Sequence, residues 1–122
     1  MKLTNAEIMN SKEPLQELVK LKLPIKTSLA LMKLVQKFNE HLVPAEEIKY
    51  RLVGEYGTDQ GNGKMGIGPG DENWPKFMAD YAELVAQEVE VDVEIVALPA
   101  TVEISPADLM AIEKLVTVEA GP

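Results

Sequence analysis

Three carboxylates at alternate positions, Glu90, Asp92 and Glu94, are the densest group of side chains in this sequence that could do chemistry. Carboxylates bind Ca²⁺ or Mg²⁺ when their oxygens converge to about 2.0 to 2.6 Å from the ion. Side chains on one face of a strand are about 6.6 Å apart, so a single row cannot enclose a cation. We therefore predict no metal site, and interpret the row as a solvated face or as a surface for a basic protein partner.

The glycines from Gly61 to Gly66 spell GxGxxG, the pattern of dinucleotide-binding loops. That pattern holds a pyrophosphate only where an apolar strand comes directly before it and a helix begins within it. Here residues 55–57 read Glu-Tyr-Gly, and residues 68–70 read Gly-Pro-Gly before any helix can begin. The pattern therefore predicts a flexible loop or a β-hairpin, and we expect no cofactor.

His41 is the only histidine, and the chain contains no cysteine. Acid–base catalysis by His41 would require an orienting acid and a nucleophile that the fold brings to it, and no nucleophile motif accompanies it. The lack of cysteine excludes disulfides, thiolate nucleophiles and cysteine-bound metals. We interpret His41 as a helix-flank residue and predict that the protein is not an enzyme.

Trp74, Phe77 and Tyr81 place half of the six aromatic residues within eight positions. Such a group is most often part of a core, but it can also form a hot spot for a protein partner or stack on a nucleobase. We keep the three residues as candidate partner-binding residues. Direct binding of nucleic acid is not expected, because the more basic part of the chain has a charge of only +3.

The charges of the chain are divided unequally between its two parts. Residues 1–51 carry nine Lys or Arg and six Asp or Glu, whereas residues 52–122 carry three and fourteen, so the parts have charges of +3 and −11. Fields of opposite sign favour oriented self-association or a basic partner. The alternative is that the charge only keeps a small domain in solution.

The length of 122 residues is typical of one domain, which we divide into a basic helical part (1–53), a glycine-rich loop (54–73) and an acidic α/β part (74–122). The start of the sequence lacks the apolar core of a signal peptide, and no uncharged apolar run is long enough to cross a bilayer. We expect a cytoplasmic protein that does not interact with membranes.

The basic part predicts an αα-hairpin. Thr4 and Glu7 have the spacing of a capping box, and the first helix should end before Pro24. A second helix with Thr27 or Ser28 as its N-cap should reach about residue 56, with a kink at Pro44. Apolar residues at steps of three and four form a seam on it, and we predict that the first four form the interface of a homo-oligomer: Leu31, Val35, Phe38 and Leu42.

The acidic part predicts mixed structure. A helix should cover residues 74–88, and Asn73 is its candidate N-cap. Valine or isoleucine alternates with acids from Val89 to Ile95, which predicts one amphipathic strand. Its partner could be residues 101–104, the glycine-rich hairpin or another chain. A last short helix should begin at Ser105, and the fold class is α+β.

This order of features resembles a family of small uncharacterised proteins encoded by tailed bacteriophages. The segments that carry the resemblance are Leu3–Glu7, Lys22–Lys26, Glu55–Gly57, Trp74 with Phe77, Glu88–Val91 and Ile104–Leu109. The resemblance implies an accessory or virion-associated role and brings no catalytic residue. We predict a non-enzymatic accessory or assembly protein that binds other proteins and forms a homo-oligomer.

The alternative function is that of an anti-defence inhibitor. The acids of residues 88–94 would then mimic the phosphates of a nucleic acid, or an oligomer would enclose and sequester a small nucleotide. Sequestration requires a cavity lined by basic side chains such as Lys26, Lys33 or Arg51.

Overall fold

The computed structural model describes residues 1–120, in which four helices and six short strands confirm the predicted α+β class. In chain order the elements are β1 (Lys2–Thr4), α1 (Asn5–Val19), α2 (Ile25–Tyr56), β2 (Thr58–Asp59), β3 (Met65–Gly66), α3 (Trp74–Ala86), β4 (Glu88–Glu90), β5 (Val96–Leu98), α4 (Pro106–Ala111) and β6 (Val116–Val118).

The N-terminus of α1 is fixed by the predicted capping box. The Thr4 hydroxyl accepts a hydrogen bond from the backbone N–H of Glu7 at 3.1 Å, and the Glu7 carboxylate accepts one from the backbone N–H of Thr4 at 3.0 Å. These two bonds satisfy donors that have no partner inside the helix. Pro14 lies within one continuous helix, and the buried Ser11 hydroxyl donates to the carbonyl oxygen of Glu7 at 2.7 Å.

Helix α2 begins earlier than predicted, at Ile25, with Pro24 in the N-cap position. Thr27 and Ser28 are therefore inside its first turn and do not cap it. Its 32 residues extend for about 48 Å at 1.5 Å per residue. The helix is continuous through Pro44, so the predicted kink does not interrupt it. Its last turn is joined to α3 by a hydrogen bond from the Tyr56 hydroxyl to Asp80 at 2.8 Å.

The strand predicted over residues 89–95 is wrong in its length and in its partner. β4 pairs antiparallel with β1, with Leu3 opposite Val89. A tight turn at Asp92, in which the N–H of Val93 donates to the carbonyl oxygen of Val91 at 3.0 Å, then ends the ladder. β5 joins a second ladder, parallel to β6. Of the alternating residues 89–95, only Val89 and Glu90 therefore belong to a ladder, and β5 begins one residue after Ile95.

The glycine-rich segment forms the predicted β-hairpin, from β2 and β3 in antiparallel pairing. The N–H of Gln60 donates to the carbonyl oxygen of Lys64 at 2.9 Å, so the turn has three residues, 61–63. Gly61 and Gly63 have φ angles of +91° and +78°. Glycine adopts this left-handed region without the steric penalty that a Cβ atom brings.

The last two helices agree with the sequence in position. α3 ends at Ala86, two residues before the predicted end. Asn73 occupies the N-cap position as predicted, but its side chain makes no capping hydrogen bond, and its amide N–H donates to the carbonyl oxygen of Tyr56 at 3.4 Å. Ser105 caps α4 as predicted and accepts from the N–H of Asp108 at 3.1 Å.

The main core lies between α1, α2 and the strands, and Asn5 and Ser11 are the buried polar residues at its edge. Its fully enclosed side chains include Ile8, Leu18, Phe38, Val91, Leu98 and Ile112. Within residues 1–120, no helix combines the length and the apolar character needed to cross a bilayer.

Candidate functional site

The three carboxylates predicted for one strand face are divided by the turn after β4. Glu90 ends that strand and accepts a hydrogen bond from the N-terminal amine of Met1 at 2.9 Å. This bond with the ammonium group holds the pKa of Glu90 below its usual value. Asp92 is the central residue of the turn and Glu94 follows it, and both line a groove against α2. All three remain exposed, but they do not form one continuous acidic row.

The groove beside Asp92 and Glu94 has a volume of about 590 Å³ and separates residues 92–96 from the N-terminal half of α2. Its other wall carries Lys26, Lys33 and Lys37. Of the three basic residues predicted to line a nucleotide cavity, Lys26 and Lys33 therefore share this groove. Arg51 does not contribute to it and is exposed farther along α2. Opposite charges on the two walls give the groove no single preference for anions or cations.

The aromatic residues of α3 pack on one another along the helix. The ring centroids of Trp74 and Phe77 are 5.6 Å apart, and so are those of Phe77 and Tyr81, whose planes are nearly parallel. Phe77 is buried, whereas Trp74 and Tyr81 are half-buried. Phe77 is therefore a packing residue that a partner cannot reach, and Trp74 and Tyr81 are only partly accessible.

The predicted oligomer interface on α2 is wrong, because the subunit itself covers that face. Leu31, Phe38 and Leu42 are 2%, 2% and 5% exposed, and Val35 is half-buried against the same cluster. The side chains that cover them come from α1 and from the strands: Leu15, Leu18, Val96 and Leu98. An amphipathic helix buries its most apolar face within its own domain first, so these residues stabilise the monomer.

A second apolar face lies on the opposite side of α2, and we call it the outer stripe. It consists of five side chains with large exposed fractions, namely Ile25 (80%), Leu29 (50%), Met32 (48%), Val43 (51%) and Tyr50 (64%). At 100° per residue they fall within an arc of roughly 60°, centred opposite the core. A surface helix usually carries polar residues there. The outer stripe is therefore a candidate interaction surface.

The outer stripe belongs to a seven-residue repeat. Leu29, Gln36, Val43 and Tyr50 are seven apart, as are Ile25, Met32, Asn39 and Glu46, and the two rows alternate at steps of three and four. This is the spacing of positions a and d in a coiled coil. The sequence contains this repeat, but the buried seam has nearly the same spacing and runs through the same stretch of α2, so the sequence alone does not separate the two faces.

Apolar surface continues from the outer stripe onto α1 and the turn after it. A groove of about 300 Å³ runs between the two helices, and Val19 and Leu21, 50% and 39% exposed, line it together with Met32. Beyond this groove, Lys12 and Glu46 join α1 to α2 by an ion pair of 3.0 Å. The ion pair raises the pKa of Lys12 above its usual value. The helical hairpin thus presents one broad, largely apolar face.

Chemistry of other kinds has little support in the geometry. His41 is half-buried on α2. In the part of the chain that the structure describes, no three His, Asp or Glu side chains are close enough to hold a metal ion together.

Comparison with protein-family models, with curated proteins and with solved structures found no match to this chain.

Proposed function

We propose that the protein is a non-enzymatic accessory or assembly protein of the bacteriophage type, which acts by binding proteins and forms a homo-oligomer. The surface that does this is the outer stripe of α2, and not the seam that the sequence indicated.

The observation that carries the proposal is the exposure of five large apolar side chains on the side of α2 away from the core. Burying one such side chain stabilises a complex by about 1.5 to 3 kcal/mol. Contiguous apolar surface is uncommon on a protein that remains monomeric, and it often marks a protein-binding site. The groove that runs onto α1 widens the area that a partner can cover.

Sedimentation velocity of the wild-type protein over a range of concentrations tests the proposal. We expect a dimer or larger species at micromolar concentration, and a shift to monomer in Met32→Glu, because this substitution places a charge in the middle of the outer stripe. Met110→Glu is the matched control, since Met110 is 71% exposed but lies on α4. A wild-type protein that stays monomeric at every concentration would contradict the proposal.

A second candidate is the sequestration of a small nucleotide, whose phosphates could bind the lysine wall of the groove at Lys26, Lys33 and Lys37, although Asp92 and Glu94 on the other wall oppose it. Isothermal titration with AMP and ATP would then show binding that Lys33→Gln weakens. Lys64→Gln on the exposed hairpin is the control. Absence of heat at millimolar nucleotide would remove this candidate. The acidic-mimic form of the inhibitor has less support, because the three carboxylates are divided between a strand end and a turn.

A further inference from the structure

We propose that two copies of the chain pair through α2 in antiparallel orientation, in one register set by a row of charged residues beside the outer stripe. This inference rests on the proposed self-association and adds its geometry. The partner that binds the outer stripe is therefore a second copy of this chain.

The row of charges is Lys26, Lys33, Glu40 and Glu47, at intervals of seven residues, and all four are exposed. The row Ile25, Met32, Asn39 and Glu46 occupies the d positions of the repeat. Each charged residue follows directly after one of them, so the charged row occupies the e positions. The row is basic in the first half of α2 and acidic in the second. When two copies of α2 lie antiparallel, the basic half of the row in one copy therefore faces the acidic half of the row in the other.

The antiparallel arrangement also matches the apolar residues. Turning the second copy about an axis midway between Gln36 and Asn39 places Met32 opposite Val43 of the second copy. The same rotation places Ile25 opposite Tyr50 and Gln36 opposite Asn39. On each side of the axis, two of the three outer layers are thus apolar or aromatic in both copies. The third joins Leu29 to Glu46, which is paired with Lys12 of its own chain. The two-fold axis makes every contact occur twice.

The flanking charges favour antiparallel over parallel pairing. In the antiparallel register, Lys33 lies beside Glu40 of the second copy and Lys26 beside Glu47, so all four e–e contacts join opposite charges. In a parallel pair the e row would face the g row, Ser28, Val35, Leu42 and Lys49, which offers no acid. Charges at these positions determine the orientation of paired helices.

The four charged side chains are available for these contacts. Among residues 1–120, Lys26, Lys33 and Glu47 take part in no ion pair, and Glu40 makes only a long contact of 3.7 Å with Lys37 on the same helix. Gln36 and Asn39 form the central polar layer, where two amides can hydrogen-bond across the axis. A buried amide layer costs stability but fixes the register of a helical pair.

Charge reversal with compensation tests the register. Lys33→Glu alone and Glu40→Lys alone each introduce two like-charge contacts in a dimer, so we expect each to raise the dimer dissociation constant about tenfold. The double variant restores opposite charges and should return to within about threefold of the wild type. Lys64→Glu, on the hairpin, is the control for net charge and should change nothing. Additive loss in the double variant overturns the register.

Disulfide trapping tests the orientation independently, since the natural chain has no cysteine. Position 32 faces position 43 of the other copy, whereas the two positions 32 are roughly 16 Å apart along the helices. Because a disulfide needs Cα atoms within about 7 Å, a mixture of Met32→Cys and Val43→Cys proteins should form mixed dimers on mild oxidation, and Met32→Cys alone should not.

The outcomes separate the two proposals. Mixed disulfide dimers together with charge rescue support the antiparallel pair. Cross-linking of Met32→Cys with itself shows parallel pairing and overturns the inference, while self-association through the outer stripe stands. A dimer in sedimentation that shows neither rescue nor mixed cross-links overturns the register in the same way. A strictly monomeric wild type overturns both proposals.

Discussion

The ammonium of Lys114 lies 2.5 Å from the carboxylate of Glu7, which joins the residues before β6 to the first turn of α1. The same carboxylate accepts the backbone N–H of Thr4 in the capping box. The Glu7 side chain therefore completes the capping box of α1 and also binds the C-terminal part of the chain to this helix. The ion pair requires its negative charge, and the hydrogen bond at Thr4 is stronger when the carboxylate is charged.

These contacts predict how stability depends on pH. The hydrogen bond with Lys114, and after it the backbone hydrogen bond at Thr4, hold the pKa of Glu7 below its ordinary value of 4.5. A carboxyl whose pKa is lower in the folded state stabilises the fold above that ordinary value, and the stabilisation is lost as the pH falls through the lowered one. In urea denaturation, the difference in free energy of unfolding between wild type and Glu7→Gln should be largest at pH 7 and should shrink towards pH 3.

Lys114→Met provides the matched variant for this pH dependence. It removes the ion pair and leaves the capping box intact, and because glutamine can also close a capping box, its loss of stability at pH 7 should be similar to that of Glu7→Gln. Curves that stay parallel from pH 7 to pH 3 for wild type and Glu7→Gln would show that Glu7 has an ordinary pKa in the folded protein.

Two threonines that the sequence presents as equivalent N-caps should differ in their effect on stability. Thr4 caps α1 with a hydrogen bond to the N–H of Glu7, whereas Thr27 lies inside the first turn of α2. Thr4→Ala should lower the free energy of unfolding by about 1 kcal/mol, the usual effect of losing a cap. Thr27→Ala should change it by less than about 0.5 kcal/mol. Equal losses in chemical denaturation would argue against the position of the α2 start.

Two adjacent residues of α2 should show that its faces have different roles. Leu31 is 2% exposed and Met32 is 48% exposed. Leu31→Ala should lower the free energy of unfolding by about 2 to 5 kcal/mol, because it leaves a cavity in the core. Met32→Ala should change the stability of dilute monomer by less than about 0.5 kcal/mol, yet weaken self-association. Urea denaturation at low protein concentration measures the stability of the monomer, and sedimentation measures self-association. A large loss of monomer stability in Met32→Ala would place Met32 in the core.

The sequence predicted those elements whose signals are local. The capping box at Thr4, the cap at Ser105 and the glycine-rich hairpin each depend on a few neighbouring residues, and each is present. The strands were predicted poorly because a ladder joins residues that are far apart in the chain. β4 pairs with residues 2–4, and β5 pairs with residues 116–118, which no local pattern indicates.

The candidate surface was missed for a related reason. A periodic sequence shows that a helix has an apolar face, but it does not show which of two faces the rest of the chain covers. Leu31 and Met32 belong to neighbouring seams with similar spacing, and only the packing of α1 buries the first and leaves the second exposed. The acids Glu90 and Glu94 lie on either side of a turn at Asp92, which the alternating pattern did not indicate.

Two glycines near the end of α2 should respond to alanine in opposite directions. At Gly57 a Cβ atom would collide with the carbonyl oxygen of Val53 and come within 2.6 Å of that of Gly66 in the hairpin. Both are backbone atoms that cannot rotate away, so Gly57→Ala should cost about 1 to 3 kcal/mol.

At Gly54, inside the helix, no atom of the described residues lies within 4 Å of the added methyl group. Gly54→Ala should therefore raise the free energy of unfolding by about 0.5 to 1 kcal/mol, because alanine loses less backbone entropy in a helix. Urea denaturation of the two variants under the same conditions gives the comparison. A neutral or stabilising Gly57→Ala would show that the backbone at Gly57 is not enclosed by the carbonyl oxygens of Val53 and Gly66, since both contribute to the collision.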